Sequence, residues 1–421
     1  MAERRCLKYF PYRGVGNPLS PRLSYFPRRT EEGLSQNTAV FMNTSGGAQW
    51  NAPYFQALNH GRGGQTVEAE AQQVIPCHGV IRNLYIELQV APGVGATSQF
   101  TLRVNGVNTA LLCTISGLNL TCNNTVNEVA VVPGDLACWQ RTTTAGGPAS
   151  GDVVCSSLFV ADDKTRDFDM LMVASRSQMT AVARYLAIEG LEIDSGVEAG
   201  KISIIPFNGI IRTLYAALDV PPGVGETKTF MLRLNTVNTA LTCQIAGLNT
   251  VGFDLVNEVA VNRGDFIDWL ITGSAASALT KPKVSALYYP TLEEVIDTTK
   301  VHQRTPSEPA NNTYLAINGR DTATVVEANH QMIVPDDGII KNVAAHFGVA
   351  PGIGQWRRFT LRVNGVNTAL ILTIADVAFF GYETATEVPV NAGDLVCWLY
   401  TESAAPAGNP FPEISVMFLP D

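Results

Sequence analysis

The nine residues RVNGVNTAL at 103–111 return as RLNTVNTAL at 233–241 and as RVNGVNTAL at 362–370, at offsets of 130 and 129. The same spacing relates VEA at 67–69, 197–199 and 326–328, the prolines Pro76, Pro206 and Pro335, and the turns PGVG, PGVG and PGIG that begin at Pro92, Pro222 and Pro351. It also relates the Gly-Asp pairs at 134–135, 264–265 and 393–394 and the tryptophans Trp139, Trp269 and Trp398. A period this long exceeds any solenoid turn or propeller blade, so each copy is expected to be a self-contained domain. A chain of 421 residues can hold three, each with enough length to bury a core.

Inside a copy the pattern is strand, turn, strand. IRNLYIELQV at 81–90 alternates Ile81, Asn83, Tyr85, Glu87 and Gln89 with Arg82, Leu84, Ile86, Leu88 and Val90, one face strongly apolar, as a half-buried strand requires. PGVG suits a type II turn, and QFTLRV leads through an Asn-Gly turn into TALLCTI, a hairpin signal. VNEVAVV, a PGD turn, LACWQ and VVCSSLFV follow. Seven or eight strands per copy, with no long amphipathic helix, predict an all-β chain: three tandem jelly-roll-like β-sandwich domains behind an extended N-terminal arm. The expected boundaries are an arm at 1–60, modules at 61–162, 190–291 and 319–421, and linkers at 163–189 and 292–318, the first with room for a short helix in 167–184.

Charge is distributed unevenly. Residues 1–35 carry seven basic and three acidic side chains, a balance of +4, which leaves −13 for the remainder of a chain whose net charge is −9. An acidic body argues against nucleic acid as a partner, because phosphate neutralisation needs clustered Lys and Arg. No run approaches the roughly 20 apolar residues of a membrane helix. The N-terminus lacks the apolar stretch of a secretory signal, so synthesis in a cytoplasm is expected. The eight cysteines form no CxxC or Cys/His ligand spacing. Cys113 and Cys243 are equivalent to Leu372, which reads as a buried thiol position, not a metal ligand or disulfide framework.

Triplication filters the candidate chemistry, because a site copied with its module should appear three times. GVGETKT at 223–229 resembles half a phosphate loop, but Thr227 stands where glycine must precede the lysine and the other copies read GVGATSQ and GIGQWRR. Glu128, Glu258 and Glu387 recur, as do Asp135, Asp265 and Asp394; the aspartates follow glycine in a tight turn, where their carboxylates serve local amides. Arg103, Arg233 and Arg362 recur beside the Asn-Gly turn and are expected to pair with one of those acids or to line three equivalent contact sites. His60, His78, His302, His330 and His346 are not repeated, so no nucleophilic or acid–base set is assembled, and neither catalytic activity nor a cofactor is expected. The sequons at Asn43, Asn119, Asn123 and Asn311 read as Asn/Thr-rich loops.

The arm carries its own repeat. KYFPYRG at 8–14 and SYFPRRT at 24–30 share Tyr-Phe-Pro-x-Arg, and Tyr9, Phe10, Tyr12, Arg13, Tyr25, Phe26, Arg28 and Arg29 are candidate anchors for a partner groove. Tyr and Arg are typical interface hot spots.

FTLRVNGVNTAL, followed by a Thr-rich strand, VNEVAV and a PGD or AGD turn, resembles the FTLRxNG-type modules of bacteriophage and other viral virion proteins. The resemblance implies a non-enzymatic virion structural protein made in the host cytoplasm. Such a protein would be a capsid decoration, cement or minor capsid protein held by its arm on a major capsid or tail lattice protein, with a homotrimer as the favoured state. A fibre or spike adhesin that binds a host-surface glycan, with Trp356 and Phe380 as stacking platforms, is the second reading. On the first reading, removing residues 1–35 abolishes incorporation while a 64–421 fragment still folds.

Overall fold

Each module is built from eight strands whose inward residues are the β-branched, aromatic and leucine positions of the repeat. The computed structural model describes residues 38–45, 53–59, 64–144, 153–163, 168–179, 182–192, 194–205, 207–291, 299–304, 309–317, 323–404, 406–407 and 412–420. In chain order the first strands are Thr38–Ser45, Asp169–Ser175 and Thr299–Arg304, and the second are Tyr54–Gln56, Arg184–Leu186 and Thr313–Leu315. The third are Gly79–Leu88, Gly209–Leu218 and Gly338–Phe347; the fourth Gly93–Val104, Gly223–Leu234 and Gly352–Val363; the fifth Val107–Gly117, Val237–Gly247 and Val366–Asp376. The sixth strand is split in module 1 (Thr121–Asn124, Val129–Val131) and continuous in the others (Val251–Val261, Phe380–Val390). The seventh are Leu136–Thr143, Phe266–Gly273 and Leu395–Glu402, and the eighth Val153–Ala161, Pro282–Pro290 and Pro412–Pro420.

In every module these strands form two antiparallel sheets in the orders 1-8-3-6 and 2-7-4-5. That wrapping of sequence neighbours onto opposite sheets is the jelly roll. A short strand before the third (Gln73–Val74, Ser203–Ile204, Met332–Ile333) pairs with the seventh. In module 2 a further strand, Gly190–Glu192, lies parallel to the first. Trp139, Trp269 and Trp398 sit fully buried between the sheets, which accounts for their recurrence.

Two expectations change. The segments placed outside the modules supply the first two strands of each: Thr38–Ser45 and Tyr54–Gln56 from the expected arm, Asp169–Ser175 and Arg184–Leu186 from the first expected linker, and Thr299–Arg304 and Thr313–Leu315 from the second, with Asp169–Ser175 a strand where a helix had room. These strands show little identity between copies, so the repeat alone conceals them. The alternation in the third strand is also interrupted. Asn83, Thr213 and Asn342 adopt positive φ at a bulge, so Ile81 and Leu84 both face the core, while Val90 lies beyond the strand.

Residues 35–421 cluster as one compact unit in which the modules close a ring. Gln73–Val74 of module 1 packs on the third and eighth strands of module 2, Ser203–Ile204 of module 2 on those of module 3, and Met332–Ile333 of module 3 on those of module 1. The first strand of module 1 also touches those of modules 2 and 3. One junction is therefore used three times around a pseudo-three-fold axis. Its effect shows on the eighth strand, where all of 153–161, 282–288 and 412–418 is buried. One face of that strand packs inside its own sandwich and the other lies under the preceding module: Val154, Leu158 and Val160 of module 1 join the core of module 3.

Candidate functional site: clasps and ring junctions

The RVNGVNT motif folds into a clasp at one end of each module. Arg103 donates from Nε and Nη2 to the Glu68 carboxylate, both at 2.9 Å, from Nη1 to Asn108 Oδ1, and from Nη2 to the carbonyl of Gly106. Arg233 repeats this with Glu198, Asn238 and Thr236, and Arg362 with Glu327, Asn367 and Gly365. The guanidinium also lies over an aromatic ring of the second strand: Phe55 at 5.8 Å, Tyr185 at 5.8 Å and Tyr314 at 5.6 Å. Hydrogen bonding to the glutamate holds each arginine pKa above its ordinary value.

The arginines thus pair within their module, but with the glutamate of VEA, not with the acids weighed from the sequence. The aspartates and Glu387 have other partners. Asp135 accepts from the Val132 amide at 2.8 Å and from Asn105 Nδ2 at 2.7 Å, while Asn105 accepts from the Leu136 amide at 2.9 Å; Asp265 with Asn235 and Asp394 with Asn364 do the same. Glu387 pairs with Lys341 at 2.7 Å. Nearly every polar residue of the motif is spent on locking the hairpin tip to its neighbours. GVGETKT runs into a strand, with Thr227 paired to Ala246, not into a helix.

Two further cysteines belong to the repeat. Cys138 and Cys397 are equivalent, with their sulfurs 3.9 and 3.6 Å from the clasp carboxylates of Glu68 and Glu327, and burial pushes both thiols well up. Module 2 has Asp268 there; burial, reinforced by Glu198 beside it, pushes its carboxyl up to about 8. The reading of Cys113 as a free thiol is corrected: it forms a disulfide with Cys122 across 6.0 Å between Cα atoms, joining the fifth and sixth strands. The equivalents of Cys122 are Gly252 and Gly381, where a Cβ would fall 2.8 and 2.9 Å from Ile245 and Ile374. The same seam is closed by backbone approach in two modules and by a cross-link in the third.

The junctions share a backbone geometry but differ in chemistry. Between modules 1 and 2, Gln73 donates to the carbonyl of Met172 at 3.0 Å, Lys281 pairs with Glu70, and burial lowers the Lys283 ammonium pKa to about 8. Between modules 2 and 3, Phe266 meets the ring of His346 edge-on at 4.8 Å and Arg263 stacks 3.9 Å over Tyr382. Burial pulls the His346 pKa down to about 4. Between modules 3 and 1, Asp336 and Asp337 act on Tyr85, whose phenol burial raises.

Tyr9, Phe10, Tyr12, Arg13, Tyr25, Phe26, Arg28 and Arg29 lie outside the described residues. Trp356 is half-buried with Arg358 stacked 4.7 Å over it, and Phe380 is exposed on the sixth strand of module 3. Among the described residues no cluster of three His, Cys, Asp or Glu side chains could hold a metal, and no helix is long and apolar enough to cross a membrane. No protein-family model matches the chain, and no curated protein sequence matches it.

Proposed function

We propose that this chain is a non-enzymatic virion structural protein, a pseudo-trimer on one polypeptide that occupies a three-fold or quasi-three-fold position as a capsid decoration, cement or minor capsid protein. The observation that carries this reading is the closed ring of three jelly rolls joined through one repeated junction. A ring with internal pseudo-three-fold symmetry presents the same surface three times and so matches a lattice site of that symmetry. The repeated polar residues support it, because they hold the modules in shape. The basic, aromatic arm then serves as the anchor to a major capsid or tail lattice protein, in line with the opposite charge of arm and body.

The test is incorporation into the source particle. A chain lacking residues 1–35 keeps the ring and is lost from purified particles; an arm-less chain that incorporates normally removes the anchoring mechanism.

A second reading, a glycan-binding adhesin, is favoured by Phe380 and Tyr382, which stand two residues apart on one strand with about half of each ring exposed and with Arg263 over the second. A glycan array decides it: binding that Tyr382→Ala removes supports the adhesin, and no binding leaves the scaffold.

A further inference from the structure

At the end of each module opposite the clasp, the backbone pushes aliphatic side chains into water. A bulge at the start of the fourth strand separates register partners Gly93 and Thr97, Gly223 and Thr227, and Gly352 and Trp356. The bulge is shaped by Gly-X-Gly, with both glycines at positive φ: 96° and 79° at Gly93 and Gly95, 110° and 79° at Gly223 and Gly225, 100° and 74° at Gly352 and Gly354. The residue between them, Val94, Val224 or Ile353, is 83–89% exposed. The fifth strand ends beside it on another positive-φ residue, Gly117, Gly247 or Asp376, followed by Leu118, Leu248 or Val377 at 68–75% exposure. Val90, Val220 and Val349 complete each tip at 36–44%.

Single exposed aliphatics need no explanation, but these recur in all three copies on a backbone built to extrude them. Adjacent positions vary freely, as Ala96, Glu226 and Gln355 show. In module 1, residues 90–97 and 117–121 carry no charge. The nearest acids in the other modules are held by neighbours: Asp219 by the Thr280 hydroxyl and the Lys281 amide, Glu226 by Ser274 and the Ala276 amide, Asp376 by the Gly354 amide.

We propose that two copies of this chain pair through these three tips. The body carries −13, so copies repel across most of their surface and approach at least cost where charge is sparse or already held by neighbours. Symmetry places the three tips on one circle about the pseudo-three-fold axis, and a perpendicular two-fold sets them against those of a second copy, a self-complementary contact. Nine aliphatic side chains of this exposure present an area on the order of the ~800 Å² each partner gives to a stable interface. A bilayer fits less well, because only the module 3 tip has a Trp and an Arg beside it, Trp356 and Arg358, where the other modules have Thr97 with Gln99 and Thr227 with Thr229, and because the body is acidic.

Sedimentation velocity of the full chain over a wide concentration range tests the pairing, with Val94→Lys, Val224→Lys and Ile353→Lys combined as one variant and the three threonine changes as a milder one. Circular dichroism confirms that both stay folded. The expected result is a reversible dimer of the 45.2 kDa chain, weakened at least tenfold in the lysine variant and less in the threonine variant. A wild-type chain that stays single at every concentration overturns the proposal. So does a lysine variant that pairs as well as wild type, or a wild type that binds phosphatidylcholine vesicles while remaining single in solution. None of these outcomes depends on the arm or on a virion, so the functional reading above stands or falls separately.

Discussion

Arg103 and Glu68 stand thirty-five residues apart in sequence and meet through two parallel hydrogen bonds of 2.9 Å, and the same separation recurs for Arg233 with Glu198 and Arg362 with Glu327. The pair ties the VEA segment to the hairpin tip, and that segment leads directly into the strand that packs on the next module. Arg362→Lys keeps the charge but loses the planar fork and its stacking on Tyr314. A loss of about 1–3 kcal/mol is expected in urea unfolding. A double-mutant cycle with Glu327→Gln should return a coupling energy above about 0.5 kcal/mol.

Asp268 and His346 set opposite pH flanks. The folded state holds the Asp268 proton up to about 8, whereas the ordinary carboxylate value is 3.8. Its contribution is therefore complete in acid and is lost as pH rises towards and through 8. Asp268→Asn should flatten the fall in melting temperature between about pH 4 and 8. His346 behaves inversely: its folded value of about 4 lies below the ordinary 6.5. Its contribution is present above 6.5 and lost as pH falls towards and through 4. His346→Gln should soften the acid flank, and an unchanged profile in both variants would remove this account of the pH dependence.

The Cys113–Cys122 bond closes a short loop beside the place where the sixth strand of module 1 is split. Cross-linking a loop of that length stabilises by about 2–3 kcal/mol in the chain-entropy model. Reductant should lower the melting temperature of the wild-type chain and leave Cys122→Ser unmoved. Equal sensitivity of both proteins would place the effect elsewhere.

Truncation separates arm from ring. A fragment beginning at residue 36 retains both early strands of module 1 and should give the β-sheet circular dichroism and cooperative melting of the full chain. A fragment beginning at 64 loses Thr38–Ser45 and Tyr54–Gln56, leaving the eighth and seventh strands of module 1 without their edge partners. It should melt at lower temperature or aggregate. Indistinguishable melting of the two fragments would mean that those strands contribute little.

The third to eighth strands were legible in the sequence because their residues serve local geometry, which duplication preserves: Asn-Gly turns, Gly-Asp turns, a tryptophan between sheets. The first and second strands were not, since TAVFMNTS, DMLMVAS and TKVHQR at Thr38–Ser45, Asp169–Ser175 and Thr299–Arg304 share no residue pattern with one another. Arg103, Arg233 and Arg362 were visible as repeated, while their partner was hidden because Glu68, Glu198 and Glu327 lie on a different segment. Counting the shared offset of VEA and the arginine would have suggested it. The role of Cys122 was hidden for a similar reason. Its counterparts are glycines, and only the strand register shows that glycine and disulfide solve one packing problem. The ring was not readable at all, because its junctions use different side chains each time: Lys281 with Glu70, Phe266 with His346, Tyr85 near Asp336.

Small-angle X-ray scattering of residues 36–421 tests the ring most directly. A closed ring of that length should scatter as one compact body with a radius of gyration of about 21 Å, and a row of three jelly rolls as an elongated particle above about 30 Å. The lower value is expected at every concentration in which the chain is single. An elongated profile would contradict it, because the junction between modules 3 and 1 cannot form in a row.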